Sequence, residues 1–248
     1  MNTRKPFAII NVRLNSKRLK EKILKKIKNK TILEYLINQV KKSQIKNNFI
    51  INTSKHKTNE KLINFCKMKK YNFYTGPEND LLKRTRLCAE ANKVYYFVNI
   101  FSDGPLIDPE IINDMIDKYK FSNYDFVSND IKTSYPSGNE VQVVKTSAII
   151  KADNLCKKSN VREHSTLYIK LNQNKFKVCS IVAPKKYRRS DLNIELDTIL
   201  DFKFIKKIIY GLDKKKINLL NIIKFLDNNS QLKKINSRVI RRWKKYRK

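Results

Sequence analysis

Val94-Tyr-Tyr-Phe-Val-Asn-Ile100 runs without a break into Phe101-Ser-Asp-Gly-Pro-Leu-Ile-Asp-Pro-Glu110. The first stretch is almost wholly aromatic or β-branched, which predicts a strand apolar on both faces, in the middle of a sheet. The second predicts how the chain leaves that strand. Asp108 suits an N-cap and Pro109 a first helical position, opening a helix that carries Ile111, Ile112, Met115 and Ile116. Ser102 and Asp103 fall in the turn between. Because Asp108 already caps the next helix, Asp103 has no evident structural task, and it stands at the carboxyl end of a central strand, where open α/β sheets bind ligands.

The flanking sequence repeats this alternation. Phe7-Ala-Ile-Ile-Asn-Val12 predicts a first strand, followed by a basic loop and a helix over Thr31–Val40. In that helix Ile32, Leu33, Leu36, Ile37 and Val40 recur at helical spacing, and Thr31 with Glu34 forms a capping box. Phe49–Thr53 and Tyr71–Tyr74 read as strands around a helix from Thr58 to Lys69 with Leu62, Ile63 and Phe65 inward, and Pro77–Asn92 as helix. Further strands are expected at Tyr124–Ser128, Glu140–Val144, Phe176–Val182 and Leu192–Leu196, and helices at Ser147–Cys156, Arg162–Leu171, Leu200–Ile209 and Leu219–Leu226. Such alternation predicts an α/β protein, a parallel sheet with helices on both faces. No internal repeat or Pro/Gly/Ser linker divides the 248 residues, so one domain is expected, ending in a basic helical tail from about residue 230.

Composition removes several function classes. The four glycines, at 76, 104, 138 and 211, are too scattered for a dinucleotide fingerprint or a Walker A loop. Cys66, Cys88, Cys156 and Cys179 match neither a redox pair nor zinc-site spacing and read as free thiols in a reducing compartment. The only N-terminal apolar stretch is short and interrupted by Asn11, so neither a signal peptide nor a membrane span is expected; the protein reads as soluble and cytoplasmic.

The formal net charge is +33, from 55 Lys and Arg against 22 Asp and Glu. Yet the chain also has 30 Ile and 28 Asn beside 43 Lys, with the lysines spread along its length. That pattern reads as general residue usage rather than a dedicated nucleic-acid surface, although the field still attracts anions such as triphosphates. The densest basic stretch, Arg238–Lys248, places Trp243 and Tyr246 among arginines and lysines. It could stack on single-stranded bases or lie on an anionic membrane, but a short terminal helix held by Val239, Ile240 and Trp243, with a solvated basic face, accounts for the same letters.

Three groups of residues carry candidate chemistry. The loop Arg13-Leu-Asn-Ser-Lys-Arg18-Leu-Lys-Glu-Lys22, at the carboxyl end of the first strand, can present backbone N–H groups with Arg18 and Lys22 to phosphate. Asp103 and Asp197 each follow an apolar strand-like run, and two carboxylates at sheet ends suit Mg²⁺; Asp197-Thr198 reads equally well as a helix cap. Glu163 and His164, beside Arg162, complete the polar set without a role set by spacing.

In this order the motifs resemble the cytidylyltransferase family of the CMP-sugar-acid synthetases, in its spore-coat polysaccharide branch. RLNSKRLKEK stands for that branch's R-M-G-S-T-R-L-P-G-K, SDGPLIDP for G-D-C-P-L-I-D-P, Tyr135-Pro-Ser-Gly138 for Y-P-x-G, Arg162-Glu-His164 for R-E-H, and Asp197-Thr-Ile-Leu-Asp201 for D-T-P-E-D. The matches run from Phe7 to about Leu226. Four departures stand out: Asn15 replaces the loop glycine, where a left-handed backbone is expected; Lys20-Glu21 replaces Pro-Gly; Glu140-Val-Gln-Val143 replaces D-V-E-V; and Asn193 lies where an arginine is usual.

The resemblance implies a three-layer α/β/α, Rossmann-like nucleotidyltransferase fold with a mostly parallel mixed sheet. It implies CMP transfer from CTP to an acidic sugar of the 3-deoxy-octulosonate or nonulosonate type, with release of pyrophosphate. Arg18 and Lys22 would act catalytically, Asp103 and Asp197 would hold Mg²⁺, and Arg13, Asn15, Ser16, Ser102, Tyr135, Gly138, Glu163 and His164 would contact substrate. A homodimer is compatible with the family. The alternatives are a relative using another nucleotide or a phosphorylated or phosphonate acceptor, an inactive relative, and a basic RNA-binding protein.

Overall fold

The apolar run around Val98 is the fourth of seven strands in one sheet of the computed structural model, whose structure describes residues 4–212 and 217–241. In chain order the strands are β1 (Ala8–Asn11), a small hairpin β2 (Lys26–Ile27) and β3 (Lys30–Thr31), β4 (Phe49–Ser54), β5 (Phe73–Gly76), β6 (Tyr96–Phe101), β7 (Phe126–Ser128), β8 (Val141–Lys145) and β9 (Val178–Ser180). The helices are α1 (Ile32–Lys42), α2 (Glu60–Met68), α3 (Leu81–Ala91), α4 (Pro109–Lys120), α5 (Thr146–Leu155), α6 (Ser159–Arg162), α7 (Leu167–Leu171), α8 (Ile199–Gly211) and α9 (Leu219–Asn228).

The large sheet has the order β5-β4-β1-β6-β8-β7-β9. Only β8 runs antiparallel to its neighbours; the other pairings are parallel. Period-two alternation then sorts the strand side chains into two cores. Ala8, Ile10, Ile51, Val98 and Ile100 pack with α1, α2, α4, α8 and α9, whereas Ile9, Ile50, Phe97 and Val144 pack with α3, α5 and α7. The fold is therefore a helix–sheet–helix sandwich of the Rossmann-like kind, with a mostly parallel mixed sheet. Chain direction across the sheet reverses at β1, which has β4 on one side and β6 on the other. The loops leaving β1 and β6 diverge there, opening a crevice at the strands' carboxyl ends.

The expected caps are present. Thr31 and Glu34 form the capping box of α1, and Asp108 caps α4 with Pro109 in its first turn. Other expectations are corrected. In α2 the buried residues are Leu62 and Cys66, with Ile63 and Phe65 only half-buried. The helix expected over Arg162–Leu171 is broken between α6 and α7, because Ser165 and Thr166 turn inward to hydrogen-bond Asn99 and Gln142. Leu192–Leu196 is extended but pairs through a single bridge, Asn193 with Ser137, since no neighbouring strand lies alongside it. Toward the C-terminus the described residues hold a 3-10 turn at Ser230–Ile235, beyond which Ile240 is exposed and Arg241 is buried rather than solvated; most of the expected terminal helix lies outside the described residues. Trp243 and Tyr246 lie outside the described residues.

Candidate functional site

The loop after β1 is fixed from below. Leu14 and Leu19 are buried, and the Leu14 amide donates to the Asn59 side chain at 2.9 Å. Asn59, itself buried, donates to Ser54 Oγ at 2.7 Å. Asn15 does not adopt the expected left-handed conformation. Among the described non-glycine residues, positive φ occurs at Glu21, Lys28, Lys46, Lys70 and Lys93. Glu21, with φ 51° and ψ 27°, occupies the position where the family pattern has glycine, so the backbone bend is kept although the residue is changed. The bend sends Lys22 and Arg18 toward the sheet edge, while Arg13 and Asn15 face solvent and Ser16 is half-buried.

Both basic side chains converge on Asp197. Arg18 Nη2 lies 2.6 Å from Asp197 Oδ2 and Lys22 Nζ 3.0 Å from Oδ1. Lys22 also donates to the Leu196 carbonyl at 2.6 Å. The cap of α8 is Thr198, in a capping box with Asp201, which leaves the Asp197 carboxylate for Arg18 and Lys22. Asp103 joins the same place through the backbone, its carbonyl accepting from the Leu196 amide at 2.7 Å, with Ser102 half-buried beside it.

Beneath them Glu195 is buried. Burial and the carboxylates of Glu140, Asp103 and Asp197 push its carboxyl up to about 8, against the opposing pull of Arg241. Asp201 shifts the other way. Burial pushes it up, but hydrogen bonds from Arg241, Asn236 and Thr198 outweigh that and hold it below the usual carboxylate range.

The Tyr135–Gly138 turn seals this arrangement. The Ser137 amide donates to Leu192 O at 3.1 Å and the Ile194 amide to Ser137 O at 2.9 Å. Gly138 has φ +92°, and a Cβ there would meet Glu195 N and Ile194 C at 2.9 Å. Glycine is required both by conformation and by close approach to the segment leading to Asp197. The Tyr135 ring is buried in the core beside Tyr187, their centroids 6.3 Å apart.

Glu163 and His164 belong to a different part of the rim. Glu163 is exposed and His164 half-buried. Arg162 is held by Asp80 and Asp153. The adjoining Ser165 and Thr166 rest on a buried amide ladder that crosses the sheet. Asn52 donates to Asn11 at 2.7 Å, Asn11 to Asn99 at 2.6 Å, Asn99 to Gln142 at 2.8 Å, and Gln142 to Asp130 at 2.9 Å. This ladder went unread in the sequence, although an Asn near the carboxyl end of each of three apolar strands was a visible signal. The group formed by Glu195, Asp201, Asn236 and Arg241 was also missed, because it joins two short segments whose outer members lie 46 positions apart, with no local pattern.

Among the described residues no three His, Cys, Asp or Glu side chains converge as a ready-made metal cage. Asp103 and Asp197 supply carboxylate oxygens, the donor type that Mg²⁺ takes from one or two side chains while water and substrate phosphates complete its shell.

The comparisons agree with this geometry. A family model described as Cytidylyltransferase matches residues 7–235. The chain is 34% identical over 243 residues to the uncharacterized protein MJ1063 of Methanocaldococcus jannaschii, covering 98% of both chains. It is 26% identical over 229 residues to the spore coat polysaccharide biosynthesis protein SpsF of Bacillus subtilis, covering 89% of this chain and 93% of SpsF. Among solved structures, a cytidylyltransferase from Leptospira borgpetersenii superposes with a TM-score of 0.87 at 25% identity, over 96% of this chain and 99% of that one. With its doubly wound sheet, its basic loop after the first strand and its carboxylates at the facing strand ends, this chain belongs to the cytidylyltransferase family.

Proposed function

We propose that the protein transfers CMP from CTP to an acidic sugar of the 3-deoxy-octulosonate or nonulosonate type, in a Mg²⁺-dependent reaction that supplies surface polysaccharide synthesis. The observation that carries this reading is the meeting of Arg18 and Lys22 with Asp197 beside the Asp103 turn. Two cations held 2.6 and 3.0 Å from one carboxylate are fixed where a triphosphate would lie in the crevice between β1 and β6. A polyphosphate competes with Asp197 for the same two side chains, so the site is oriented before substrate arrives.

The acceptor hydroxyl oxygen attacks the α-phosphorus as its proton passes to solvent, the bond from that phosphorus to the oxygen bridging to the β-phosphate breaks, and pyrophosphate leaves. Arg18 and Lys22 stabilise the charge that accumulates on the departing pyrophosphate. Arg13 and Ser16 extend the phosphate-binding loop. Asp103 and Asp197 would hold Mg²⁺, which when bound neutralises phosphate oxygens and polarises the reacting phosphorus centre. On the acceptor side, Glu163 and His164 border the amide ladder, where Gln142 makes neutral a position that is acidic in the family pattern.

Thermal unfolding with each of CTP, UTP, ATP and GTP, with and without Mg²⁺, tests the reading before any acceptor is chosen. Saturation at about 100 times Kd adds about 2.7 kcal/mol to stability. A rise in Tm specific to CTP with Mg²⁺ and lost in Asp103→Asn is expected, followed by pyrophosphate release when sugar acids are supplied. Equal small shifts for all four nucleotides, independent of Mg²⁺ and Asp103, would instead mark nonspecific anion binding.

A further inference from the structure

The segment 236–241 returns from the far end of the chain to the underside of the Asp197 turn. Asn236 Nδ2 donates to Asn193 O at 3.0 Å and to Asp201 Oδ1 at 2.9 Å. Arg241 Nη2 lies 2.6 Å from Asp201 Oδ1, and its Nη1 lies 3.1 Å from Glu195 Oε1 and 3.2 Å from Asp201 Oδ2. The side chain of Arg241 is 2% exposed and that of Asp201 is fully buried. On its opposite edge, the Asp201 carboxylate accepts from the Asp197 amide at 3.1 Å, the Thr198 amide at 2.8 Å and Thr198 Oγ1 at 2.9 Å. One carboxylate thus joins the guanidinium of Arg241 to the backbone on which Asp197 stands. The same segment reaches Arg18 directly, whose Nη1 lies 3.4 Å from the Ile240 carbonyl.

We infer that Arg241 is a positioning residue: acting through Asp201 and Glu195, it holds the Asp197 turn in the geometry that presents the Asp197 carboxylate to the metal-bound triphosphate. The inference rests on the reading of Asp197 given above. A buried fork holding two carboxyl groups is a task for arginine rather than lysine, because only the guanidinium offers paired donors in one plane. Groups that orient a metal-binding side chain from behind affect metal affinity through geometry alone.

The test uses the full chain as wild type, Arg241→Met and Arg241→Lys, with two readouts. The first is hydrogen exchange at the Asp197 and Thr198 amides. The second is CTP affinity with Mg²⁺ divided by CTP affinity in EDTA. In Arg241→Met both amides should exchange faster, and the Mg²⁺-dependent gain should fall by about 10- to 100-fold, the range for lost support behind a metal ligand, while affinity in EDTA changes little. Arg241→Lys keeps a buried positive charge, which preserves the fold if Met does not, and should be intermediate in both readouts.

Unchanged exchange at the two amides would overturn the inference. Faster exchange with an undiminished Mg²⁺-dependent gain would also overturn it, leaving Arg241 a purely structural anchor. If the wild-type protein shows no Mg²⁺-dependent gain for CTP, the functional reading fails, and the inference fails with it; that result is read on the wild type before any variant.

Discussion

Two polar regions share the carboxyl-end rim of the sheet, and they are built from opposite chemistry. Around Asp197 the groups are charged or titratable: Arg18, Lys22, Asp103, Asp201 and Arg241, with the Glu195 carboxyl pushed up to about 8 among them. Across the sheet, from Asn52 through Asn11 and Asn99 to Gln142, they are neutral amides hydrogen-bonded in series at 2.6 to 2.8 Å. On the function proposed above, the region around Asp197 has exchangeable partners, since Arg18 and Lys22 would leave a carboxylate for a phosphate. The amide ladder has no such freedom, because Asn52, Asn99 and Gln142 are fully buried and each break leaves a donor or acceptor without water. On that proposal the first region serves binding and turnover, while the second holds the strand ends in fixed relation.

This division is tested most strongly by Lys22→Met. Turnover should fall by about 10²- to 10³-fold, the range for a lost group that stabilises developing charge, with Tm changed by only a few degrees. A variant that unfolds rather than losing turnover would break the comparison. The converse case is Asn99→Leu, which strands the Asn11 amide and removes a donor from both Gln142 and Ser165. Unfolding in urea should show a loss of about 2–4 kcal/mol with an unchanged m-value. Full stability in that variant would remove the structural role of the ladder.

Gly138→Ala sits between the two regions. A side chain at φ +92° that also presses on Ile194 and Glu195 should cost about 1–3 kcal/mol, and because the pressure falls on the segment bearing Asp197, CTP affinity should fall in parallel.

Acid separates the regions further. Asp201 has a folded pKa below its unfolded value, so it contributes stability that is fully present above the unfolded pKa of about 3.9 and is lost as pH falls through the folded value. Removing Arg241 takes away the leading cause of that lowering. The destabilisation caused by Arg241→Met should therefore shrink as pH is taken from 7 toward about 4, because in the variant the buried Asp201, without that guanidinium, can protonate while the wild-type residue stays ionised. The cost of Asn99→Leu should stay level over the same range, as amides do not titrate.

The smallest effect is expected at Glu21→Gly. Relief of a left-handed backbone is worth about 1 kcal/mol, offset by glycine entropy and by the exposed ion pair to Lys61, so a net gain of no more than about 0.5 kcal/mol should be seen in Tm.

Local chemistry explains what was legible beforehand. Period-two apolar runs, the Thr31–Glu34 capping box and the Asp108-Pro109 helix start each depend on residues within a few positions of one another, and all three appear as read. Arg18, Lys22 and Asp103 were legible as neighbours, because each lies in a loop leaving a strand of the sheet and a parallel sheet brings such loops to one edge, where Arg18 and Lys22 meet Asp197. The failures are equally specific. The helix expected over Arg162–Leu171 is broken where Ser165 and Thr166 turn inward to Asn99 and Gln142. Leu192–Leu196 had a strand's alternation and lacked a strand to pair with.

By itself, then, the sequence determined most of the alternation of strands and helices and where helices such as α1 and α4 begin, since hydrophobic period and capping act over a few residues. Only the tertiary structure decided which partner each charge takes. Arg241 reads as one more basic residue in a basic tail, yet it is buried against Asp201 and Glu195, 40 and 46 positions away in the chain. Such pairings are set by which groups are dehydrated together when the chain closes, and that is a property of the folded interior.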